Sequence, residues 1–433
     1  MTDQLKVAYA GLTHLGTCHA VAAHQSGFKV TGFDTDAARV ELRVNGEFDS
    51  AEPGVAEYLR ARHAGLDFTS DIKRLEDVEV VVVALDTRVG DDGAADVSEV
   101  ERLIEAVADA LPEDVPLVIM SQVSPGFTRR VLPRHENTYY QVETLVFGKG
   151  LERALKPERY IVGTCDPAEP LDPRFSRLLE MGGCPILPMP YESAELAKLA
   201  INFFLAASLT ATNSLAELCS KLGADWAPIA DALHLDRRIG RDAYLTPGLG
   251  IGGTNIVRDL VALQRAAALA CVDGGLATTM LEHSLYSREW MIRSVHDATF
   301  EIPTERLAVL GLSYKPGTES TIGSAALDVI RVFGPSAVIR VHDPAALLPV
   351  WTRGYAEQVA TVDEALVDAS TCVIATPWDD YRDLCGILST LPSLKTVIDP
   401  YRVLSATDSR LAHLNIRQLG IAPRPSSLTT QGA

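Results

Sequence analysis

Two apolar rhythms alternate along the chain. Short unbroken runs rich in valine and isoleucine predict strands at residues 5–10, 29–33, 79–85 and 116–120, the third reading Glu-Val-Val-Val-Val-Ala-Leu. Between them, apolar residues recurring every three or four positions predict helices at 17–26 and 99–111, with residues 91–96 as the turn into the second. From residue 192 the rhythm changes. A long helical pattern covers 192–221, a second runs from 259 to about 270, and a third from about 280 to 295. Beyond Ile302-Pro303 the alternation returns, with strands at 307–312, 338–342, 372–376 and 396–398 and a helix at 325–333. Recurrent strand, helix and strand predict parallel sheets. The expectation is therefore an α/β protein with two parallel-sheet domains joined by a helical central region, divided as 1–190, 191–300 and 301–433. Residues 423–433, rich in Pro, Ser, Thr, Gln and Gly, are expected to be disordered.

Composition narrows the partners. At 433 residues the chain is too long for one core, in keeping with that division. Its 39 basic and 57 acidic residues leave a formal charge of -18, and no basic patch offsets it, so no nucleic-acid partner is expected. A small anionic ligand stays compatible, since local donors outweigh a net field. No run approaches the roughly 18 uncharged apolar residues of a membrane span. The N-terminal Met-Thr-Asp-Gln-Leu-Lys leads into a strand rather than a signal peptide. A cytoplasmic protein without a membrane partner is expected. Cysteines 18, 165, 184, 219, 271, 372 and 385 are scattered with no Cys-x-x-Cys pair, and no His or carboxylate set has ligand spacing, so neither disulfides nor a metal are predicted.

The candidate chemistry begins at the end of the first strand. Gly11-Leu-Thr-His-Leu-Gly16 is a glycine turn opening a helix, and the second strand ends at Asp34, 18 residues beyond Gly16. That order fits a Rossmann dinucleotide site, with Gly11, Thr13, His14, Leu15 and Gly16 around the phosphates and Asp34 on a ribose. Thr13 stands where the middle glycine of Gly-x-Gly-x-x-Gly is expected, so either the diphosphate shifts or the Thr13 hydroxyl donates to it. A carboxylate suits a free 2'-hydroxyl and repels a 2'-phosphate, which favours NAD over NADP. Asp86-Thr87 and Ser121-Gln122 leave the ends of later strands and are expected to share one crevice with Gly11. A second concentration of glycine, Gly248, Gly250, Gly252 and Gly253 within 247–260, suits a loop that approaches a ligand, with Thr254 and Asn255 capping the helix after it. Its alternative is a solvent-exposed linker. Lys198 and Asn202, four apart among Leu196, Leu199, Phe203 and Leu205, share a helix face. They read either as a paired or functional lysine or as a solvated Lys beside a capping Asn.

These ordered motifs resemble the UDP-glucose/GDP-mannose dehydrogenase family over nearly the whole chain. The matching stretches are Asp34-Thr-Asp-Ala-Ala-Arg39, Asp92-Gly-Ala-Ala-Asp-Val-Ser98, Pro157-Glu-Arg-Tyr-Ile-Val-Gly163, Asp236-Arg-Arg-Ile-Gly240, the glycine loop, Tyr314-Lys-Pro-Gly-Thr318, Asp343-Pro344 and Thr376-Pro-Trp378. The resemblance implies an NAD-dependent oxidation of a UDP- or GDP-linked sugar by a homodimer. Lys198, Asn202 and Asp259 match the family's active-site Lys, Asn and Asp, and Glu143 the first glutamate of Asn-Pro-Glu-Phe-Leu-x-Glu. Arg39, Thr87 and Gln122 fall on cofactor-facing positions; Arg238, Tyr244, Gly248, Gly252, Gly253 and Lys315 fall on the substrate side, with Trp378 and Arg402 as further nucleotide contacts.

The departures limit the reaction. Asn255 occupies the position of the nucleophilic cysteine, Phe147 that of the second glutamate, Gln122 that of a water-holding Thr, and Ile322 that of a cofactor-facing Arg. A thiolate is what traps the aldehyde so that a second hydride can leave. The expected reaction is therefore one two-electron oxidation of a sugar alcohol to a ketone or aldehyde, as in modified-sugar or antibiotic pathways. The alternatives are a four-electron oxidation through an aldehyde hydrate, an epimerase that retains its NAD, and a non-catalytic nucleotide-sugar binder.

Overall fold

A computed structural model describes residues 4–50, 52–90, 95–252, 255–299, 306–405 and 407–422. Residues 91–94 of the expected turn, Gly253, Thr254, the Ile302-Pro303 boundary and the tail 423–433 lie outside these described residues. The chain divides into two compact units, one within Met1–Ile201 and Val261–Val272, the other within Asn202–Leu260 and Asp273–Ala433. Residues of the helical middle fall partly in each unit.

The first unit holds the strands β1 (Lys6–Ala10), β2 (Lys29–Phe33), β3 (Leu66–Thr69), β4 (Val80–Val83), the two-residue β5 (Arg88–Val89) and β6 (Ala95–Asp96), β7 (Leu117–Ile119), β8 (Thr138–Gln141), β9 (Tyr160–Thr164) and β10 (Ile186–Pro190). Eight of them form one sheet in the order β10-β9-β8-β7-β4-β1-β2-β3, while β5 and β6 pair separately. Every neighbour in the large sheet is parallel except β8 with β9, where Tyr140 faces Gly163. The four valines of β4 are fully buried, as a strand covered on both faces requires. Strand order reverses between β1 and β4, and the ends of those two strands frame the crevice where ligands of such sheets bind.

α1 (His14–Gln25) follows β1. It starts three residues earlier than the apolar pattern indicated, because Gly16 lies within its first turn rather than ahead of it. Residues Leu15 to Ala23 are all buried, so this helix is a core element with no polar face.

The second unit carries β11 (Arg306–Leu310), β12 (Val338–His342), β13 (Glu357–Gln358), β14 (Thr371–Ile374), β15 (Thr396–Ile398) and β16 (Asn415–Arg417), all parallel in the order β13-β12-β11-β14-β15-β16. Among the other helices are α2 (Tyr191–Leu222) and α3 (Asn255–Leu269), each with residues in both units, and α4 (Gly275–Thr299) and α5 (Ala325–Phe333) in the second. α3 begins at Asn255, earlier than the expected residue 259. α2 is long and apolar enough, by length and composition, to cross a membrane. This corrects the expectation that nothing approaches a span: counting uninterrupted apolar residues overlooked a helix whose Ser, Thr and Asn residues are dispersed among leucine and alanine.

Candidate active site

The turn after β1 is built for close approach. Gly11 has φ +101°, its N–H donates to the Phe33 carbonyl at 2.8 Å, and a Cβ there would lie 3.0 Å from Leu85. At Gly16 an added Cβ would sit 1.8 Å from the Gly11 carbonyl oxygen, so α1 and the turn can pack this tightly only over hydrogen. Arg43, with its side chain 1% exposed, lies beneath the turn and donates to the Leu12 carbonyl at 2.8 Å and to Thr17 Oγ1 at 3.0 Å. Sequence spacing gave no sign of this support, because Arg43 is one of two arginines on the amphipathic helix Ala37–Val44 and its burial is tertiary.

Asp34 is 2% exposed, accepts the Leu12 N–H at 2.7 Å and stands 3.3 Å from Arg39 Nη1. Arg39 also reaches Asp36 and Glu99. A guanidinium already shared among three carboxylates suits a neutral ribose edge better than a further phosphate. Thr87 donates to the Gln122 carbonyl at 2.8 Å and Leu85 N–H to Ser121 Oγ at 2.9 Å, so the strand ends expected to share a crevice do meet. Thr13 Oγ1 accepts the Asp86 N–H at 2.9 Å, an acceptor role that leaves the hydroxyl hydrogen for donation.

Glu143 pairs with His19 of α1 and accepts the Thr144 N–H. Burial pushes its carboxyl up, but the His19 charge and hydrogen bond, the Thr144 N–H and the Lys198 charge outweigh that and hold it below the usual carboxylate range. Lys198 and Glu143, singled out separately by motif, therefore feel one another. His19 was missed: a histidine on an apolar helix carries no signal until its partner arrives from β8's end.

His14 approaches Glu52 at 3.0 Å and Cys18 at 3.7 Å, and its ring packs on Phe147 with centroids 4.5 Å apart. These three side chains lie within metal-ligating distance of each other, a cluster that chain spacing did not reveal. Its chemistry argues against a cation. Glu52 is engaged by the N–H groups of Gly148, Gly150 and Leu151, and burial, then Glu52, Asp86 and Glu143, push the Cys18 thiol far up. Phe147 fills the second-glutamate position with a ring against His14.

In the second unit the glycine loop is pinned rather than free, which removes the linker alternative. Leu249 and Ile251 are buried, Gly248 N–H donates to Asn213 Oδ1 at 2.8 Å, and Ile251 N–H to Ser284 Oγ at 2.8 Å. Gly250 has φ +77°, and a Cβ there would meet the Ser284 carbonyl at 2.3 Å. Gly252 abuts Tyr314, over whose ring Lys315 Nζ stands at 5.7 Å. Asn255 is the exposed first residue of α3, so it belongs to the helix instead of capping it from outside. Four residues on, Asp259 is fully buried and receives Asn202 Nδ2 on one oxygen and Arg258 Nε, at 3.3 Å, on the other. Arg258, 8% exposed, was not anticipated. The neighbouring apolar cluster is Ala206, Ile251, Leu260, Ala277 and Met280, with no cysteine among the described residues.

Other residues expected at the site have partners within the chain. Arg238 is exposed and pairs with Asp236 at 2.6 Å, and the Tyr244 carbonyl accepts from Ser208 and Thr212. Trp378 Nε1 donates to Asp343 at 3.2 Å, while Arg402, at φ +55°, holds the Leu419 carbonyl and Asp225. Ile322 is 63% exposed.

Three domain descriptions match in order along the chain: UDP-glucose/GDP-mannose dehydrogenase family, NAD binding domain over residues 5–172, central domain over 192–283 and UDP binding domain over 308–406. The chain belongs to the UDP-glucose/GDP-mannose dehydrogenase family. It is 26% identical over 433 residues to the UDP-glucose 6-dehydrogenase TuaD of Bacillus subtilis, covering 96% of this chain and 93% of that protein. To the UDP-glucose 6-dehydrogenase AglM of Haloferax volcanii it is 29% identical over 426 residues, covering 93% and 97%. The solved UDP-glucose dehydrogenase of Pyrobaculum islandicum superposes with a TM-score of 0.81 at 25% identity over 97% of this chain and 98% of that one. A UDP-D-ManNAc dehydrogenase from Pyrococcus horikoshii, 22% identical, shares the fold at a TM-score of 0.81 over 96% and 99%.

This family member is thus an NAD-dependent nucleotide-sugar dehydrogenase, an oxidoreductase acting on CH–OH. The β1 turn fits its cofactor: Gly11 and Gly16 admit only hydrogen where the turn and α1 pack on each other and on Leu85, and Asp34 follows the end of β2. When bound, NAD accepts a hydride; Asp34 and the turn would hold it there.

Proposed function

We propose that this dehydrogenase carries out one two-electron oxidation of a nucleotide-linked sugar alcohol and releases the carbonyl. The observation that carries this reading is Asn255. It stands on the first turn of α3, one turn before the buried Asp259, at the position where full oxidation requires a thiol. An amide adds to no aldehyde, so no thiohemiacetal forms and no second hydride is set up.

The first hydride transfer asks less. The substrate carbon loses a hydride to NAD, its hydroxyl loses a proton, and a C=O bond forms. Lys198, one turn before Asn202 on α2, would take that proton or stabilise the forming alkoxide. Asn202 and Asp259, already hydrogen-bonded, would hold the water or the ammonium beside it. A ketone from a secondary alcohol is the more stable product and suits consumption by an aminating or reducing enzyme that builds modified sugars.

The experiment is a screen of UDP-, GDP- and dTDP-sugars with NAD, counting NADH and weighing the product. One NADH per sugar and a product lighter by two hydrogens support the reading. Two NADH and an acid establish the four-electron reaction instead, and an epimerised sugar without NADH an epimerase.

We also propose a homodimer through α2. Phe204, Ala211, Leu215, Leu218 and Leu222 are exposed and recur at helical spacing, leaving an apolar stripe on one face. A second copy offering the same stripe covers it by symmetry. The double variant Leu218→Glu, Leu222→Glu should run as a monomer in size-exclusion chromatography with light scattering; an unchanged mass would refute this interface.

A further inference from the structure

The crevice between β1 and β4 contains an anion supplied by the chain itself. Ala10 pairs with Val83, so the turn leaving β1 and the loop leaving β4 run side by side. Asp86, the third residue beyond β4, makes two contacts across that crevice. Its N–H donates to Thr13 Oγ1 at 2.9 Å, and its Oδ2 accepts the N–H of Leu15, in the first turn of α1, at 3.1 Å. Thr13 precedes α1 with φ -73° and ψ -169°, yet its side chain makes no capping bond. The cap comes from Asp86. A carboxylate thus neutralises the positive end of the helix at the point where dinucleotide folds receive a diphosphate.

The nearby cations do not offset it. Arg39 is shared among Asp34, Asp36 and Glu99, Arg43 holds Leu12 and Asp49, and Arg88 leans on Glu99 at 3.3 Å. The diphosphate of NAD meets a like charge already bonded to one of the donors it needs. Asp86 is itself exposed, so it can swing away into water without a burial penalty.

We propose that Asp86 is an affinity-determining residue of the NAD site: it caps α1 before the cofactor arrives, must give up the Leu15 N–H when the diphosphate binds, and thereby keeps NAD loosely held and exchangeable. Loose holding is what a dehydrogenase that turns over free NAD needs and what an enzyme returning the hydride to the same sugar does not. The inference rests on the NAD-binding domain alone, independent of how many electrons the sugar loses.

The test is calorimetric titration of the full chain with NAD and, separately, with adenosine. Asp86→Ala and Asp86→Asn should each lower the Kd for NAD by about two- to thirty-fold, the range spanned by one charge at a helix N-terminus. Adenosine, which has no phosphate, should bind as it does to the parent. Asp86→Asn keeps an oxygen for the Leu15 N–H, so it decides the matter even where Asp86→Ala loosens the fold. An unchanged or raised Kd for NAD overturns the proposal, as does an equal shift for adenosine, which would mark a general structural effect.

Discussion

Glu143 shows how a carboxylate quoted by a motif gains partners that the motif does not name. Motif matching placed it at the family's first glutamate; the fold sets it, partly buried, against His19, with Thr144 N–H and Lys198 adding to its stabilisation as an anion. Its carboxyl is held below the usual range, so its contribution to stability is fully present above the unfolded value of about 4.3 and is lost as pH falls through the lower folded value. Urea unfolding at a series of pH values should show the parent losing stability below about pH 4.5, and Glu143→Gln losing less over the same window. A parallel loss in both would mean that other carboxylates set the acid limit. Gly16→Ala tests the neighbouring turn: with the Gly11 oxygen 1.8 Å from the new methyl, α1 must withdraw, and NAD titration should show at least a hundredfold weaker binding, about 3 kcal/mol. At this scale spacing along the chain identified Gly11, Gly16 and Asp34, whose relation is local. His19, Arg43, Glu52 and Arg258 were invisible as site residues, because each acts through a partner that only topology or burial supplies; Asp86 was placed at the crevice, but its bond to Leu15 was not.

Among the elements, those buried in the middle of a sheet were the legible ones. β1, β2, β4, β7, β11, β12, β14 and β15 were all anticipated, and α5, β2, β12 and β15 to the residue. The strands that escaped notice include every edge: β3 and β10 in one sheet, β13 and β16 in the other. An edge strand need not be uniformly apolar, and β10 reads Ile-Leu-Pro-Met-Pro, where two prolines are tolerable because one side has no ladder to complete. Interior β8 and β9 were missed as well, their mixed residues being read only as motif. The glycine loop was legible as a loop but not in its detail, since four glycines look alike in sequence. Gly250 alone among Gly248, Gly250 and Gly252 has a positive φ, and it faces a backbone carbonyl at 2.3 Å, whereas a Cβ on Gly248 would make an ordinary 3.6 Å contact with Tyr401. Gly250→Ala should therefore cost about 2–4 kcal/mol in urea unfolding, and Gly248→Ala less than about 1. Equal costs would show that the loop gives way around Ser284.

At the scale of the whole molecule the chain repeats one device in its two units. Gly11 and Gly311 both have φ +101° and both donate their N–H at 2.8 Å to the last residue of the adjacent strand, Phe33 and His342. Asp34 accepts Leu12 N–H at 2.7 Å as Asp343 accepts Leu312 N–H at 2.6 Å. Asp343 is then closed by Ser313, Ala345, Ala346 and Trp378, so the second copy of the device is braced from more sides than the first. Both ligands of such an enzyme, NAD and a nucleoside-diphosphate sugar, are anions, and each must approach a surface carrying a formal charge of -18. That field acts at long range and is screened by salt: the Debye length shrinks from about 30 Å at 0.01 M to about 8 Å at 0.15 M. Short-range donors inside the crevices are screened much less. Stopped-flow binding of NAD should therefore show an association rate that rises several-fold between these ionic strengths, with a dissociation rate that changes little. A rate that falls with salt would mean that local cations around the crevice, rather than the net charge, guide the cofactor in.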